Sequence, residues 1–366
     1  MTISILGLGT ASPPHTAQQA DVRDMSETLI CTDERQRRML RVLFKKSGVS
    51  TRHSCVPYQT AVDWQRHSGD AGPTTGERVR LYAEHAGPLA QQAALQALDD
   101  AHLSAAEITH LVTVSCTGFE APGVDVQLIS SLGLSRTTQR VHVGFMGCHG
   151  AINGLRAARG LVAANPSARV LLCAVELCSL HYRLTWDTEG IKGNALFADG
   201  AAAVVIGDAQ TVSTQSGVAP WSVIDTASCL IPDSLDAMTW RIGDHGFEMT
   251  LTGEVPRLIE EHLEEFLVSW LGQHDLKIED IAHWVVHPGG PRIIDAVRAA
   301  LSLPAEATAL SREILNDYGN MSSPTILFIL ERLRGQSARF DGPTLVLGFG
   351  PGLMAEAALL AGHLPA

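Results

Sequence analysis

The sequence repeats itself across its two halves at a spacing that recurs in separate elements. The apolar run around His110 has a counterpart around His283, and each run is entered by an acidic residue followed by isoleucine. The Gly-Cys motif at Cys148 and the Gly-Asn motif at Asn320 are separated by nearly the same stretch of chain. One matching pair would mean little, but several elements in register indicate a duplicated unit.

Strands and helices alternate in each half. The apolar run 170–175 predicts a strand covered on both faces by helices, and the amphipathic run 255–271 predicts such a helix. The pattern predicts an α/β protein with two similar halves, residues 1–210 and 218–366, joined near residues 208–218. Equivalent helix starts then face each other across a pseudo-twofold, so Cys148 and Asn320 are expected to meet at the centre.

Composition narrows the functional classes. A net charge of −12 argues against nucleic acid as a general partner. The N-terminus lacks the basic stretch of a signal peptide, and no apolar run approaches about 18 residues, so no membrane association is expected. The seven cysteines are scattered without a CxxC pair, which indicates neither a zinc site nor a disulfide framework. Reduced thiols predict a cytoplasmic protein.

Cys148 is the main candidate nucleophile. A glycine precedes it and a run of small and apolar residues follows, which predicts a cysteine at the first turn of a buried helix. Free N–H groups and the positive dipole end at that position favour a thiolate, which can accept an acyl group as a thioester. The alternative is a buried cysteine that only fills the core.

His287 and Asn320 are candidate partners of Cys148. His287 ends an apolar strand just before a Pro-Gly-Gly-Pro turn, and Asn320 follows Tyr318-Gly319 at a predicted helix start. The imidazole can stabilise a thiolate, and both side chains can donate hydrogen bonds to an oxyanion or enolate. Alternatively, His287 is a strand-end histidine bonded to backbone, and Asn320 is a helix N-cap.

These motifs together resemble those of the type III polyketide synthases of the chalcone and stilbene synthase superfamily. The resemblance covers nearly the whole chain. It rests on Gly147-Cys148, residues 195–202 (Ala-Leu-Phe-Ala-Asp-Gly-Ala-Ala), residues 287–291 (His-Pro-Gly-Gly-Pro), residues 318–323 (Tyr-Gly-Asn-Met-Ser-Ser) and residues 348–353 (Gly-Phe-Gly-Pro-Gly-Leu). It implies the thiolase-like fold, with two duplicated βα halves in five layers, αβαβα, and a homodimer.

The resemblance also implies an activity. Cys148 is expected to carry the acyl group of a CoA thioester, with its thiolate held by a His287 imidazolium. His287 and Asn320 are expected to stabilise the enolate formed when malonyl-CoA loses carbon dioxide. Repeated condensation and cyclisation would give a pyrone or a resorcinol- or phloroglucinol-type product. CoA thioesters are the substrates, and no cofactor or metal is required.

The resemblance extends to a cavity and a CoA entrance. Phe197 matches the family's gatekeeper aromatic. Several cavity positions depart from the plant pattern, including Trp240 in place of glycine, which predicts a smaller product or a fatty acyl tail that follows another path. The predicted cavity residues are Phe197, Cys116, Thr117, Cys178, His181, Trp240, Met249 and Ser322. The predicted CoA contacts are Lys46 and Arg41, within a basic cluster at residues 35–46, and Gly289 and Gly290.

Two other functions fit the repeat. A ketoacyl carrier-protein synthase III shares the Cys-His-Asn set, but it typically has His-Gln-Ala-Asn at the histidine and lacks the run at 348–352. A non-catalytic thiolase-fold partner is a third interpretation. Such partners typically lose the cysteine, so the presence of Cys148, His287 and Asn320 together disfavours it.

Overall fold

A computed structural model describes residues 1–65, 67, 69–211, 221–336 and 342–362 of the chain. These residues form strands and helices in an α/β order. The strands are β1 (Ile3–Ala11), β2 (His15–Gln18), β3 (Thr51–Ser54), β4 (His110–Ser115), β5 (Gln139–Gly144), β6 (Val170–Leu177), β7 (Asp199–Asp208), β8 (Trp221–Leu230), β9 (Met238–Gly243), β10 (Gly246–Leu251), β11 (His283–Val286), β12 (Pro343–Gly350) and β13 (Met354–Ala361). The helices are α1 (Gln19–Ile30), α2 (Glu34–Lys46), α3 (Thr60–Trp64), α4 (Thr75–Asp100), α5 (Val124–Leu132), α6 (Gly150–Ala164), α7 (Gly190–Leu196), α8 (Val255–Leu271), α9 (Pro291–Ala300), α10 (Ala309–Tyr318) and α11 (Thr325–Gln336).

The main sheet has nine strands in the order β11-β12-β13-β8-β1-β7-β6-β4-β5. Reading outward from its centre, β8-β13-β12-β11 in one half corresponds to β1-β7-β6-β4 in the other. The equivalent strands β6 and β12 begin at Val170 and Pro343, which repeats the spacing seen in the sequence. The halves join through a short antiparallel pairing of β1 with β8, at Ser4 with Ser222 and Ile5 with Trp221. The fold is therefore duplicated as the sequence predicted.

Helices cover both faces of each half. α4 packs on the outer face of the first half, and α8 and α9 pack on the outer face of the second. α6 and α11 lie between the two halves, where their apolar residues join those of both halves of the main sheet in one core. The order of layers is αβαβα, as expected. The small residues of β1 let α4 approach closely, since a Cβ on Gly7 would collide with the carbonyl oxygen of Ala97.

Residues 212–218, in the predicted junction between the halves, lie outside the described residues. β7 ends at Asp208 and β8 begins at Trp221, on the two sides of this segment. The division into residues 1–210 and 218–366 therefore stays a prediction. Among the residues that the structure describes, no helix has the length and apolar character needed to cross a bilayer.

Candidate active site

Cys148 lies on a short 3-10 turn, Gly147–His149, that runs directly into α6. Cys148 is partly exposed as a residue, but its thiol is buried, as is most of the helix that follows. Gly147 has a φ of 76°, and a Cβ there would collide with Cδ of Pro351. Only glycine fits this position, so the turn holds Cys148 against the loop after β12.

Asn320 does not begin a helix. It forms an isolated β-bridge with Phe197, and α11 begins only at Thr325. Its backbone N–H donates to the carbonyl oxygen of Leu196 at 2.9 Å, and its side-chain Oδ1 accepts from the N–H of Ser322 at 2.8 Å. The predicted helix start was wrong because the local turn is stabilised by pairing with a distant segment. Asn320 is therefore not the N-cap of a helix either.

The structure brings Cys148, Asn320 and Ser322 together at the centre. The side chains of Ser322 and Asn320 lie close enough to the Cys148 thiol to lower its pKa. Ser322 has a φ of 57°, and its Oγ lies 3.4 Å from Sγ of Cys116. A second thiol therefore lies one side chain away from the candidate nucleophile.

His287 follows β11 and is only 1% exposed. Its backbone N–H donates to the carbonyl oxygen of Leu347 at 2.8 Å. Within the described part of the chain, neither ring nitrogen has a hydrogen-bond partner. The titratable residue nearest to the ring is His149, the residue after Cys148. The interpretation of His287 as a strand-end histidine satisfied by backbone therefore does not describe its ring, which is free to act on a ligand.

Burial reverses the expected charge state of Cys148. It raises the pKa of the thiol to about 11, although the nearby polar side chains of Ser322 and Asn320 act in the opposite direction. Burial, with a smaller effect of the nearby His149 in the same direction, lowers the pKa of His287 to about 3. The prediction of a low-pKa thiolate was therefore wrong for the chain without substrate. The helix-end field is too weak to offset desolvation at this depth.

Glu176, at the end of β6, was missed from the sequence. Its carboxylate is completely buried and accepts hydrogen bonds from the N–H of Cys116 (2.9 Å), Thr117 Oγ1 (2.7 Å) and Ser323 Oγ (2.7 Å). Burial raises its pKa, and these hydrogen bonds act in the opposite direction. Glu176 thus ties the loop after β4 to the turn that carries Asn320. An acidic residue at the end of an apolar strand was the available signal.

An aromatic-lined cavity adjoins this centre. Trp240 and Met249 face each other across the β9–β10 hairpin, and the Phe197 ring lies 6.3 Å from that of Trp240. The free space in the cavity is about 20 Å³, little more than one water molecule needs. The predicted cavity residues that line it are Phe197, Cys178, His181, Trp240 and Met249.

His181 forms one wall of the cavity as a neutral imidazole. Its Nε2 lies 2.6 Å from the carbonyl oxygen of Thr117, and its Nδ1 accepts from the N–H of Phe247 at 3.0 Å. Its ring stacks on that of Phe247 at 4.1 Å between centroids. Burial lowers the pKa of His181 to about 3. Phe247, which the sequence did not single out, thus completes the wall together with Trp240.

The predicted CoA contacts divide into two kinds. Lys46, at the end of α2, is exposed, whereas Arg41 forms a double hydrogen bond with Glu27, one arm of which measures 2.8 Å. Arg41 is therefore already paired. Gly289 and Gly290 form the loop between β11 and α9, beside His287, and Gly290 has a φ of 147° that glycine favours.

Comparison with known proteins decides the family. Residues 2–210 match the family profile described as chalcone and stilbene synthases, N-terminal domain, and residues 223–363 match the corresponding C-terminal domain. The chain is a type III polyketide synthase of the chalcone and stilbene synthase family. It is therefore an acyltransferase, and acyl-CoA thioesters are the substrates that this family uses. Membership of the family favours the iterative synthase over the single-round ketoacyl synthase.

Relatives align with this synthase along almost its whole length. An alpha-pyrone synthesis polyketide synthase-like protein, Pks18 of Mycobacterium tuberculosis, is 34% identical over 98% of this chain and 91% of its own. A 1,3,6,8-tetrahydroxynaphthalene synthase of Streptomyces peucetius is also 34% identical, over 98% and 92%. The crystal structure of PKS-I from the brown alga Ectocarpus siliculosus superposes with a TM-score of 0.89 at 31% identity, covering 99% and 98% of the two chains.

Proposed function

We propose that this synthase loads an acyl-CoA starter onto Cys148, extends it with malonyl-CoA and releases a short α-pyrone. The observation that carries the proposal is that the Asn320 side chain lies beside the Cys148 thiol, while His287 is buried at the end of β11 against the neighbouring strand β12. The turn before α6 supplies Cys148, the end of β11 supplies His287, and the bridge to Phe197 supplies Asn320. A thiol, an unpartnered imidazole and an amide at one buried centre suit thioester chemistry.

Loading begins with transfer of a proton from Cys148 to His287. Burial disfavours either charge alone, but the transfer creates a thiolate and an imidazolium together, and their attraction offsets part of the desolvation cost. The thiolate attacks the carbonyl carbon of the starter thioester. Coenzyme A then leaves as a thiol and takes the proton from His287, which leaves an acyl group on Cys148.

Extension uses the loss of carbon dioxide from malonyl-CoA. The carbon–carbon bond breaks, and its electron pair forms an enolate on the remaining thioester. N–H groups of His287 and Asn320 stabilise the enolate oxygen. The enolate carbon attacks the acyl carbon on Cys148, the new carbon–carbon bond forms, and the thiolate leaves. Decarboxylation makes each round irreversible, so the proposal requires no metal or cofactor.

The small cavity supports a short product. Trp240, Phe197 and Met249 are among the large side chains that line it. A six-membered lactone needs only two extensions of the starter, because an enol oxygen closes onto the thioester carbon. An aromatic resorcinol- or phloroglucinol-type ring needs a longer chain. We therefore propose the pyrone, since the bulky side chains beside the centre favour the shorter of the two chains. The name of the Mycobacterium relative points to the same product class.

We also propose that the synthase is a homodimer that pairs through the edge of its sheet at β5. β5 is the last strand in the sheet order, and most of its residues are exposed. Val141 on this strand is 43% exposed, and Phe119 and Phe145 nearby are exposed as well. An exposed edge with apolar side chains is a surface that a second chain covers. Light scattering on Val141→Glu, which is expected to give monomers, tests this assignment.

The experiment that tests the proposed reaction is mass spectrometry of the products. Purified protein is mixed with malonyl-CoA and a panel of acyl-CoA starters of increasing length. We expect pyrones from the wild type and none from Cys148→Ala. The matched control is Cys229→Ala, which removes a half-buried thiol on β8 away from the centre and should leave the products unchanged. Absence of both products and an acyl adduct on Cys148 in the wild type would contradict the proposal.

A further inference from the structure

A buried arginine that takes no part in the steps above holds the backbone at the end of α7. Arg52, on β3, is 1% exposed, and its guanidinium donates to four neutral amide oxygens. Its Nη1 donates to the carbonyl oxygens of Asn194 at 2.7 Å and Phe197 at 3.0 Å. Its Nη2 donates to the carbonyl oxygen of Ala195 at 2.8 Å and to Oε1 of Gln19.

This set of acceptors suits a guanidinium. The three carbonyl groups come from the last turn of α7 and the residue after it, where carbonyl oxygens lack partners within the helix. A positive charge is favoured at this end of a helix. The planar guanidinium presents its donors in a rigid fork and can bind all of these oxygens at once, whereas the ammonium of lysine has only three donors on one atom. Arg52 therefore fixes the path of the backbone at 194–197.

Asn320 is bonded to the same stretch of backbone. Its N–H donates to the carbonyl oxygen of Leu196 at 2.9 Å, and its own carbonyl oxygen accepts from the N–H of Ala198 at 2.9 Å. A Cβ on Gly319 would lie 3.0 Å from the carbonyl oxygen of Leu196 and 3.7 Å from Cβ of Arg52. The turn that carries Asn320 therefore lies against both the end of α7 and Arg52 itself.

The residues beside Arg52 also hold the chain just before Asn320. The N–H of Ser50 donates to the carbonyl oxygen of Asn316 at 2.8 Å, and Ser50 Oγ donates to Oδ1 of Asn316 at 2.6 Å. Asn316 lies in the last turn of α10, shortly before Asn320. The two segments that meet in the bridge of Asn320 with Phe197 are thus held by one short stretch of chain, residues 50–52.

We propose that Arg52 is a positioning residue for decarboxylation that acts through Asn320. It fixes the end of α7, and the hydrogen bonds of the bridge then fix Asn320 beside the Cys148 thiol. The inference rests on the proposed function in assigning Asn320 to the enolate formed from malonyl-CoA. Loading uses Cys148 and His287 and does not require the Asn320 amide at that point. Loss of the guanidinium should therefore slow decarboxylation more than loading.

The test separates these two steps in Arg52→Lys, which keeps the charge but not the planar fork. Loading is measured as the rate of acyl adduct formation on Cys148 from a starter acyl-CoA alone, by intact mass spectrometry. Decarboxylation is then measured on the loaded protein, as carbon dioxide released from malonyl-CoA labelled in its free carboxyl group. We expect kcat for this release to fall about tenfold to a hundredfold, with KM for malonyl-CoA and the loading rate close to wild type, since a misplaced catalytic group costs rate more than binding.

The matched control is Arg78→Lys. Arg78 is also fully buried and also donates to backbone carbonyl oxygens, including those of Pro73, Leu180 and Tyr182. This variant should lose a similar amount of stability, because the same kind of contact is removed. It should keep the wild-type ratio of decarboxylation to loading, because these acceptors lie outside the segment bonded to Asn320.

An unchanged rate of decarboxylation in folded Arg52→Lys overturns the proposal. An equal fall in both steps, or the same change of ratio in Arg78→Lys, also overturns it, because a general loss of structure then explains the effect. A crystal structure of Arg52→Lys gives a readout that needs no activity. The Asn320 amide should be displaced from its place beside Cys148, and an unmoved amide overturns the proposal. A wild type that releases no carbon dioxide contradicts the proposed function, and the crystal structure still decides the role of Arg52.

Gln19→Ala decides the question should circular dichroism show that Arg52→Lys does not fold. The Gln19 side chain accepts from Nη2 of Arg52, and its Nε2 donates to the carbonyl oxygen of Ala195 at 2.9 Å. Its loss loosens the same segment while the guanidinium stays in place. A smaller but still selective fall in decarboxylation supports the proposal, and an unchanged ratio of the two steps overturns it.

Discussion

The indole Nε1–H of Trp240 donates a hydrogen bond to the carbonyl oxygen of Cys116, at 2.7 Å. This contact fastens the β9–β10 hairpin to the loop after β4, across the cavity beside the candidate nucleophile. The neighbouring carbonyl oxygen, that of Thr117, is held by His181. The floor of the cavity is thus fixed by side chains that come from distant parts of the sequence.

Trp240 is expected to limit the length of the product. Trp240→Gly opens the cavity, and we expect products with at least one more malonyl extension in mass spectrometry. Trp240→Phe keeps most of the ring volume but loses the hydrogen bond to Cys116. This control should give the wild-type products, with reduced thermal stability. A glycine variant with unchanged products would show that another surface sets the length.

His181 is expected to make the protein sensitive to acid. Its folded pKa of about 3 lies below the ordinary value of 6.5, so the unfolded chain binds a proton that the folded chain excludes. Stability is therefore full above about pH 6.5 and falls as the pH drops toward 3, by about 1.4 kcal/mol per pH unit for this one group.

His181→Gln should flatten that slope by the same amount, measured as the free energy of unfolding in urea at about pH 4, 5 and 6. His287 keeps a similar contribution in both proteins, since burial also lowers its pKa to about 3. The control is His102→Asn at an exposed position with a left-handed backbone. A slope that is the same in all three proteins would contradict the prediction.

Glu176 is expected to stabilise the site through the donors that it satisfies. Glu176→Ala leaves the N–H of Cys116 and the hydroxyl groups of Thr117 and Ser323 without their acceptor. We expect a loss of about 2–4 kcal/mol in the free energy of unfolding, because buried unsatisfied donors are costly. Glu176→Gln keeps one acceptor oxygen and should lose clearly less. Equal losses in the two variants would mean that packing matters more than hydrogen bonding at this position.

Lys46 and Arg41 are expected to differ in their effect on CoA thioesters. Lys46 is exposed at the end of α2, whereas the guanidinium of Arg41 is engaged by Glu27. We expect Lys46→Ala to raise KM for malonyl-CoA about three- to tenfold, the effect of one charge contact with phosphate, with kcat unchanged. Arg41→Ala should have a smaller effect. A larger effect at Arg41 would show that its pair with Glu27 opens on binding.

The duplicated fold could be predicted from the sequence because its signals are local or periodic. The recurring spacing, the apolar runs of β4 and β11 and the amphipathic pattern of α8 all appear in the chain itself, and α8 spans the predicted residues 255–271. The motifs that identify the family are also local. A turn such as Gly147-Cys148 needs glycine at a particular backbone angle, and this requirement can be recognised in the sequence.

What only the tertiary structure decided is the environment of those residues. The sequence placed Cys148 at a helix start, where the helix dipole favours a thiolate. It could not show that burial outweighs this effect and raises the thiol's pKa. It made Asn320 a helix start, because the bridge to Phe197 joins segments that are far apart in the chain. Glu176 carried no motif, since its importance comes from donors in the loop after β4 and in the turn after Asn320. Burial and long-range pairing are properties of the packed chain, so local pattern alone could not provide them.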